Sequence, residues 1–177
     1  PGLVFDPTVT IRNTTTAGLE LDTCPGVAVD NVILENCGGT YGAIYARGCE
    51  TFLLEAGNAI GGAGVECSWP VTIDAGSFLA AGCVIPASGN TENDIQVRGG
   101  TSAASGAWRL FPGFDYVVTS SPSVGAGHDL TIADGVKELF DFNMSRDNQA
   151  VIFHPLNRLV VQAHGEVEEL LHAVGDG

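Results

Sequence analysis

Two carboxylates hold like positions in a repeated phrase: Glu20 in Gly18-Leu19-Glu20-Leu21 and Glu66 in Gly64-Val65-Glu66-Cys67. A pair of carboxylates on one exposed face is the equipment of glycoside hydrolysis, one acting as acid and the other as base. If the phrases stack as strands about 4.8 Å apart, with Ile44 in the coil between, the pair is separated by about 9.6 Å. That is the wide edge of the inverting range, about 6.5–9.5 Å. The plainer reading is of solvated carboxylates that discourage lateral sheet pairing. It is preferred, so no catalytic residue is assigned and Glu20 with Glu66 stands as the alternative. Tyr45, Trp69 and Trp108, if outward, offer rings on which a sugar could stack. Core or interface packing is the favoured reading for them.

Other reactive groups are scattered. Lys137 is the sole lysine and lies outside the repeats, and Arg12 and Arg98 hold equivalent but distant positions. No basic residue is flanked by an acidic cluster of the kind a lyase uses to hold calcium. His128, His154, His164 and His172 are all C-terminal, and Asp129, Asp134, Asp141 and Asp147 lack calcium-loop spacing. No metal site and no cofactor is expected. Cys24, Cys37, Cys49, Cys67 and Cys83 form no C-x-x-C pair, which argues against a zinc knuckle. Cys24 and Cys49 follow equivalent glycines and would stack in neighbouring coils. A disulfide there is one reading; buried thiols serving as small hydrophobes is the favoured one.

Charge narrows the partners. Seven Lys plus Arg against 21 Asp plus Glu give −14, a surface that repels phosphate, so nucleic acid is not an expected partner. No apolar run reaches the roughly 18 residues that a spanning helix needs, so no membrane partner is expected. Pro1 reads either as a native start after loss of an initiator Met or as the edge of a trimmed fragment.

The elements that must position these groups repeat. Val9-Thr10-Ile11-Arg12-Asn13 is echoed by Val32-Ile33-Leu34-Glu35-Asn36, Phe52-Leu53-Leu54-Glu55-Ala56, Val71-Thr72-Ile73-Asp74-Ala75 and Ile95-Gln96-Val97-Arg98-Gly99. A second phrase, a Gly followed by a short alternation, begins at Gly18, Gly42, Gly64, Gly82 and Gly106. Both recur roughly every 22 residues, a period in the solenoid range. Each phrase alternates apolar and polar residues over three to five positions, which is strand periodicity. Inward candidates include Val9, Ile11, Leu19, Leu21, Val32, Leu34, Ile44, Phe52, Leu54, Val65, Cys67, Val71, Ile73, Val84, Ile95 and Val97. The gaps hold turn formers such as Gly38-Gly39, Gly57-Asn58 and Gly61-Gly62, too short for the helical crossovers of βαβ units. The economical solution is a coil in which each strand pairs with its equivalent one turn later. In it Val32, Phe52 and Val71 stack, and Asn13 and Asn36 form an amide ladder.

The phrases over residues 9–113 resemble the coils of right-handed parallel β-helix proteins of the pectate-lyase-like class, which includes polysaccharide-active enzymes and phage tail-spike and virion proteins. The resemblance implies an all-β fold: a short, single-stranded parallel β-helix of about five coils over residues 1–113. Residues 114–177 then read as an irregular, β-rich cap and assembly region of the same unit. In it an aromatic strand pair, looped through 120–127, covers the last coil, and one short helix spans 166–174. Trp108, Phe111, Phe114 and Tyr116, with Val167, Leu170, Leu171 and Val174 on one helical face, are the expected cap or interface residues.

The functional expectation is a non-enzymatic structural protein of a virion, decorating the capsid or forming part of a tail spike or fibre. Such a protein is made in the host cytoplasm. It acts by self-association, trimeric as the resemblance implies, and by attachment to other virion proteins. The alternative is a polysaccharide-binding or polysaccharide-cleaving module, with Tyr45 and Trp69 as sugar platforms. A third reading is a bacterial surface or adhesion module, secreted or held at the cell surface.

Overall fold

The computed structural model describes residues 2–86, 89–120, 122–134, 136, 138–140, 152–153 and 159–161. The described part is all-β, without a helix. The chain climbs as a three-sided coil. It opens with β1 (Gly2–Arg12), which covers two sides, and goes on through β2 (Leu19–Asp22) and β3 (Val27–Glu35). The next winding holds β4 (Ile44–Arg47), β5 (Glu50–Leu54) and β6 (Ala59–Ile60), and the one after it β7 (Val71–Ile73) and β8 (Ser77–Leu79). Then come β9 (Ile95–Val97), β10 (Gly100–Ser102) and β11 (Gly106–Trp108), followed by β12 (Tyr116–Val118), β13 (Pro122–Val124) and β14 (Leu130–Ile132). The last described strands are β15 (Glu138–Phe140), β16 (Ile152–Phe153) and β17 (Leu159–Val161).

One side is a six-stranded sheet in the order β2-β4-β7-β9-β12-β15. A second sheet runs β1-β3-β5-β8, with β6 on β3, and two three-stranded sheets, β10-β13-β16 and β11-β14-β17, continue the other sides. Every pairing between these strands is parallel and joins residues about one winding apart, such as Leu19 with Ile44, Ile44 with Val71 and Val71 with Ile95. This is a parallel β-solenoid of about five turns. Short strands suffice because each finds its partners above and below, so no helix is needed to bring parallel strands together.

The core fills the bore of the coil. Val29, Val32, Leu34, Ile44, Ala46, Leu54, Val71, Ile73, Ile95 and Val97 are fully buried. Their alternation with outward residues is what the phrases encode. Val9 and Val84, expected inward, are exposed instead. Val9 lies on the first winding, where β1 has a partner on one side only. Val84 lies in a turn where its neighbour Ile85 takes the inward place.

The expected register needs one correction. Val9 does stand opposite Val32, but Phe52 stands opposite Val27 and Leu79, and Val71 belongs to the six-stranded sheet opposite Ile44. The repeated phrases therefore sit on three different sides of the coil. An apolar-x-apolar phrase records which residues point inward, and all three sides have the same requirement.

The segment beyond 113 also differs from expectation. Pro122–Val124, inside the expected loop 120–127, is a strand, and β12, β13 and β14 stack in register on β9, β10 and β11. The aromatic segment thus builds a further winding, because Tyr116 and Val118 keep the inward spacing of Ile95 and Val97. The expected helix over 166–174, with Val167, Leu170, Leu171 and Val174, lies outside the described residues, as do His154, His164 and His172.

Candidate functional site

The outer face of the six-stranded sheet carries the densest set of polar and aromatic groups. Inward Ile44 and Ala46 force Tyr45 and Arg47 outward on β4. Register then builds two columns. One runs Glu20, Tyr45, Thr72, Gln96, and the other places Asp22 beside Arg47, with Asp74 and Arg98 following just past the ends of β7 and β9.

Arg47 organises the first winding. Its Nη2 lies 2.6 Å from Asp22 Oδ2 and 3.5 Å from Glu20 Oε1, and its Nε donates to Asp22 Oδ1 at 3.3 Å. The guanidinium hydrogen bond, helped by the Thr23 hydroxyl, holds the Asp22 carboxyl below its ordinary value. Asp74 is engaged by the backbone, accepting from Gly48 N at 3.1 Å and from Gly76 N at 3.1 Å.

Higher in the stack an aromatic pair crosses the face. The Tyr41 and Tyr45 rings stack with centroids 4.7 Å apart and planes 14° apart. The Arg98 guanidinium sits 4.6 Å from the Tyr41 centroid while its Nη1 donates to Thr40 O at 3.0 Å. That donation fixes the cation over the ring, an arrangement worth about 0.5–2 kcal/mol. Beneath the stack, Thr72 Oγ1 donates to Gln96 Oε1 at 2.9 Å. These two outward polar residues are 0% and 7% exposed. The turn carrying Tyr41 covers them: a Cβ on Gly42 would lie 2.9 Å from Thr72 Oγ1. Burial, and next the charge of Asp74, raise the Tyr45 phenol above its ordinary value.

Glu20 and Glu66 are not brought together. Glu20 shares its column with Tyr45, whereas Glu66 precedes Cys67, whose backbone stacks under Cys37. The common Gly-x-Glu spacing marks different corners of the coil. Glu66 Oε1 accepts from Gly64 N at 2.9 Å, and this bond holds its carboxyl pKa below the ordinary value. A carboxylate held as an anion is unsuited to the general-acid role, which needs a raised pKa.

Trp69 is half-buried at the corner before β7, with its Cβ and carbonyl against Gly42. Trp108 is inward: it is buried and stacked on Tyr116 at 5.4 Å. Tyr116 is buried too, its hydroxyl donating to Arg109 O at 3.0 Å and accepting from Arg109 N at 3.2 Å. Phe111 and Phe114 are buried on either side of a tight turn in which Phe114 N donates to Phe111 O at 3.0 Å and Gly113 takes φ 86°. These four aromatic residues join the common core.

A second feature is an open groove of about 420 Å³ on another side of the coil. Phe78 and Gly106 line its floor, with Thr51, Arg109, Asp129 and Thr131 around them. Among the described residues, no group of three or more His, Cys, Asp or Glu is placed to hold a metal ion.

Tyr41 and Arg98 are the members of the aromatic site that sequence reasoning did not bring to Tyr45. An aromatic residue four positions before Tyr45 at a Gly-rich corner is the one available signal for Tyr41. No protein-family model matches the chain, and neither the curated proteins nor the solved structures gave a match.

Proposed function

We propose that this solenoid is a non-enzymatic structural component of a virion, acting through self-association and attachment to other virion proteins. The observation that carries the assembly reading is the end of the stack. Ile11, Leu19, Cys24 and Val27, from β1, β2, the corner after β2 and the start of β3, pack on the core only partly buried. The equivalent residues of the next winding, Ile44, Cys49 and Phe52, are fully buried. Among the described residues β1 and β2 are the end strands of their sheets. An apolar end flanked by strand edges is a template for a further winding or for another chain. The virion setting and a trimer rest on the resemblance to β-helix proteins.

The test is the mass of the full chain in solution by light scattering over a range of micromolar concentrations. Assembly to three times the chain mass, weakened by Leu19→Glu, is the expected result. A monomer throughout, indifferent to that change, sinks the reading.

A polysaccharide-binding role is a second reading, favoured by the stacked Tyr41 and Tyr45 flanked by Arg47 and Arg98. Flat rings beside charged groups suit a sugar ring with an apolar face and a hydroxylated edge. A screen against acidic and neutral polysaccharides, with Tyr45→Ala for binding and Glu66→Gln for cleavage, separates the two readings.

A further inference from the structure

One corner of the coil sets two cysteines over each other. Asp22 stands opposite Arg47, and Thr23 N donates to Arg47 O at 2.8 Å. Two residues beyond Asp22 and Arg47, the same register places Cys24 over Cys49. Both thiols turn towards the end of β2: Cys24 Sγ donates to Asp22 O at 3.2 Å and Cys49 Sγ to Leu21 O at 3.3 Å. Neighbouring strands lie about 4.8 Å apart. That is inside the Cα separation of about 4.4–6.8 Å that a disulfide spans. The two thiols differ in access, since Cys24 is half-exposed and Cys49 is buried.

A second pair serves as an internal control. Asn36 N donates to Val65 O at 2.9 Å and Ser68 N to Cys37 O at 3.2 Å, which sets Cys37 over Cys67. Cys37 N donates to Cys67 Sγ at 3.4 Å. Here both sulfurs are buried, so register is shared with the first pair but access is not.

We propose that Cys24 and Cys49 are an oxidisable pair, which a low-molecular-weight disulfide converts to an inter-coil disulfide that clips the end winding to its neighbour. Cys24, having lost its proton to water, attacks one sulfur of oxidised glutathione, whose S–S bond breaks to release one glutathione thiolate. Cys49, deprotonated in turn, attacks Cys24 Sγ and expels the second glutathione. The protein thiols lose two electrons, and the oxidant carries them away as two thiols. Burial holds the Cys49 thiol above its ordinary pKa, so the second step is the slow one at neutral pH and quickens as pH rises.

The experiment exposes the folded full chain to oxidised glutathione, alkylates the remaining thiols and digests without reductant after Glu and Arg. This digestion separates Cys24 (21–35), Cys37 (36–47) and Cys49 (48–50). The expected product links 21–35 to 48–50, while Cys37 and Cys67 are alkylated only after unfolding. The thermal midpoint rises on oxidation and returns with reductant. In Cys49→Ser the glutathione adduct stays on Cys24. If that variant does not fold, the adduct on the unaltered chain gives the readout, decaying about tenfold faster per pH unit below the Cys49 pKa. A lasting Cys24 adduct in the unaltered chain, two thiols left free, or a link between Cys37 and Cys67 instead would each overturn the proposal.

Discussion

Asn36 lies one winding beyond Asn13 and donates from Nδ2 to its Oδ1 at 2.7 Å. Both residues take left-handed backbone angles, φ 50° and 57°. Each asparagine therefore serves the corner twice, by tolerating a conformation that costs most residues about 1–2 kcal/mol and by bonding along the stack. Asn36→Ala is expected to lose about 1–2 kcal/mol, since both roles go. Asn36→Gly keeps the backbone angle and should lose less than half as much. Denaturant unfolding of the two variants checks the ranking; equal losses would mean that the side-chain bond alone matters.

Asn58 is expected to be the most sensitive polar residue among those described. Strand β3 pairs Val27–Val29 with Phe52–Leu54 and then, past Asp30 and Asn31, pairs Ile33 and Leu34 with β6. Asn58 fills the break. It accepts from Val32 N at 3.2 Å and donates to Val29 O at 2.8 Å and Glu55 O at 2.9 Å, and it is 8% exposed. Asn58→Ala leaves backbone groups unsatisfied and should cost about 2–4 kcal/mol. Asn58→Asp sets a buried carboxylate against the Val29 and Glu55 carbonyls and should cost more near neutral pH than Asn58→Ala, the excess shrinking as pH falls. Chemical denaturation measures both.

Gly106 is expected to accept no side chain. A Cβ there would lie 2.2 Å from the Phe78 ring, which closes over it. Gly106→Ala should cost about 1–3 kcal/mol through overpacking. Phe78→Leu, which makes room, should recover part of that loss in the double variant. Strict additivity of the two changes, read from unfolding midpoints, would refute the contact.

Stability should fall at both pH extremes, for different reasons. Asp22 and Glu66 have lowered folded pKa values, so the stability they confer is present above their unfolded values and lost as pH falls through the folded ones. The acid limb therefore lies below about pH 4, and Asp22→Asn should shallow it. The Cys49, Cys67 and Cys83 thiols and the Tyr116 phenol are raised by burial. They stay neutral in the folded chain while the unfolded chain ionises, so stability is lost as pH climbs past about 9. Cys67→Ala should flatten part of this alkaline limb. Unfolding midpoints from about pH 3 to pH 10 test both limbs.

The solenoid was legible in the sequence because inward and outward residues alternate within each phrase, as at Ile95-Gln96-Val97. The Asn13–Asn36 ladder was legible because both residues end the same phrase on the same side of the coil. Assignment of phrases to sides was not, since Phe52-Leu53-Leu54 and Val71-Thr72-Ile73 make identical apolar demands on different faces. Tyr45 could be read as outward from its own strand. Its setting could not, because Arg98 bonds Thr40 across 58 positions of sequence. Nor does local alternation show that the 38–42 turn folds over Thr72.

The strand ladders join windings that are next to one another, and this bears on how the molecule comes apart. Its cohesion is close to a sum over neighbouring layers, as in other linear arrays. Pulled from the β1 end, such an array should peel layer by layer with a series of similar small force steps, where a domain knitted by distant crossings would give way in one.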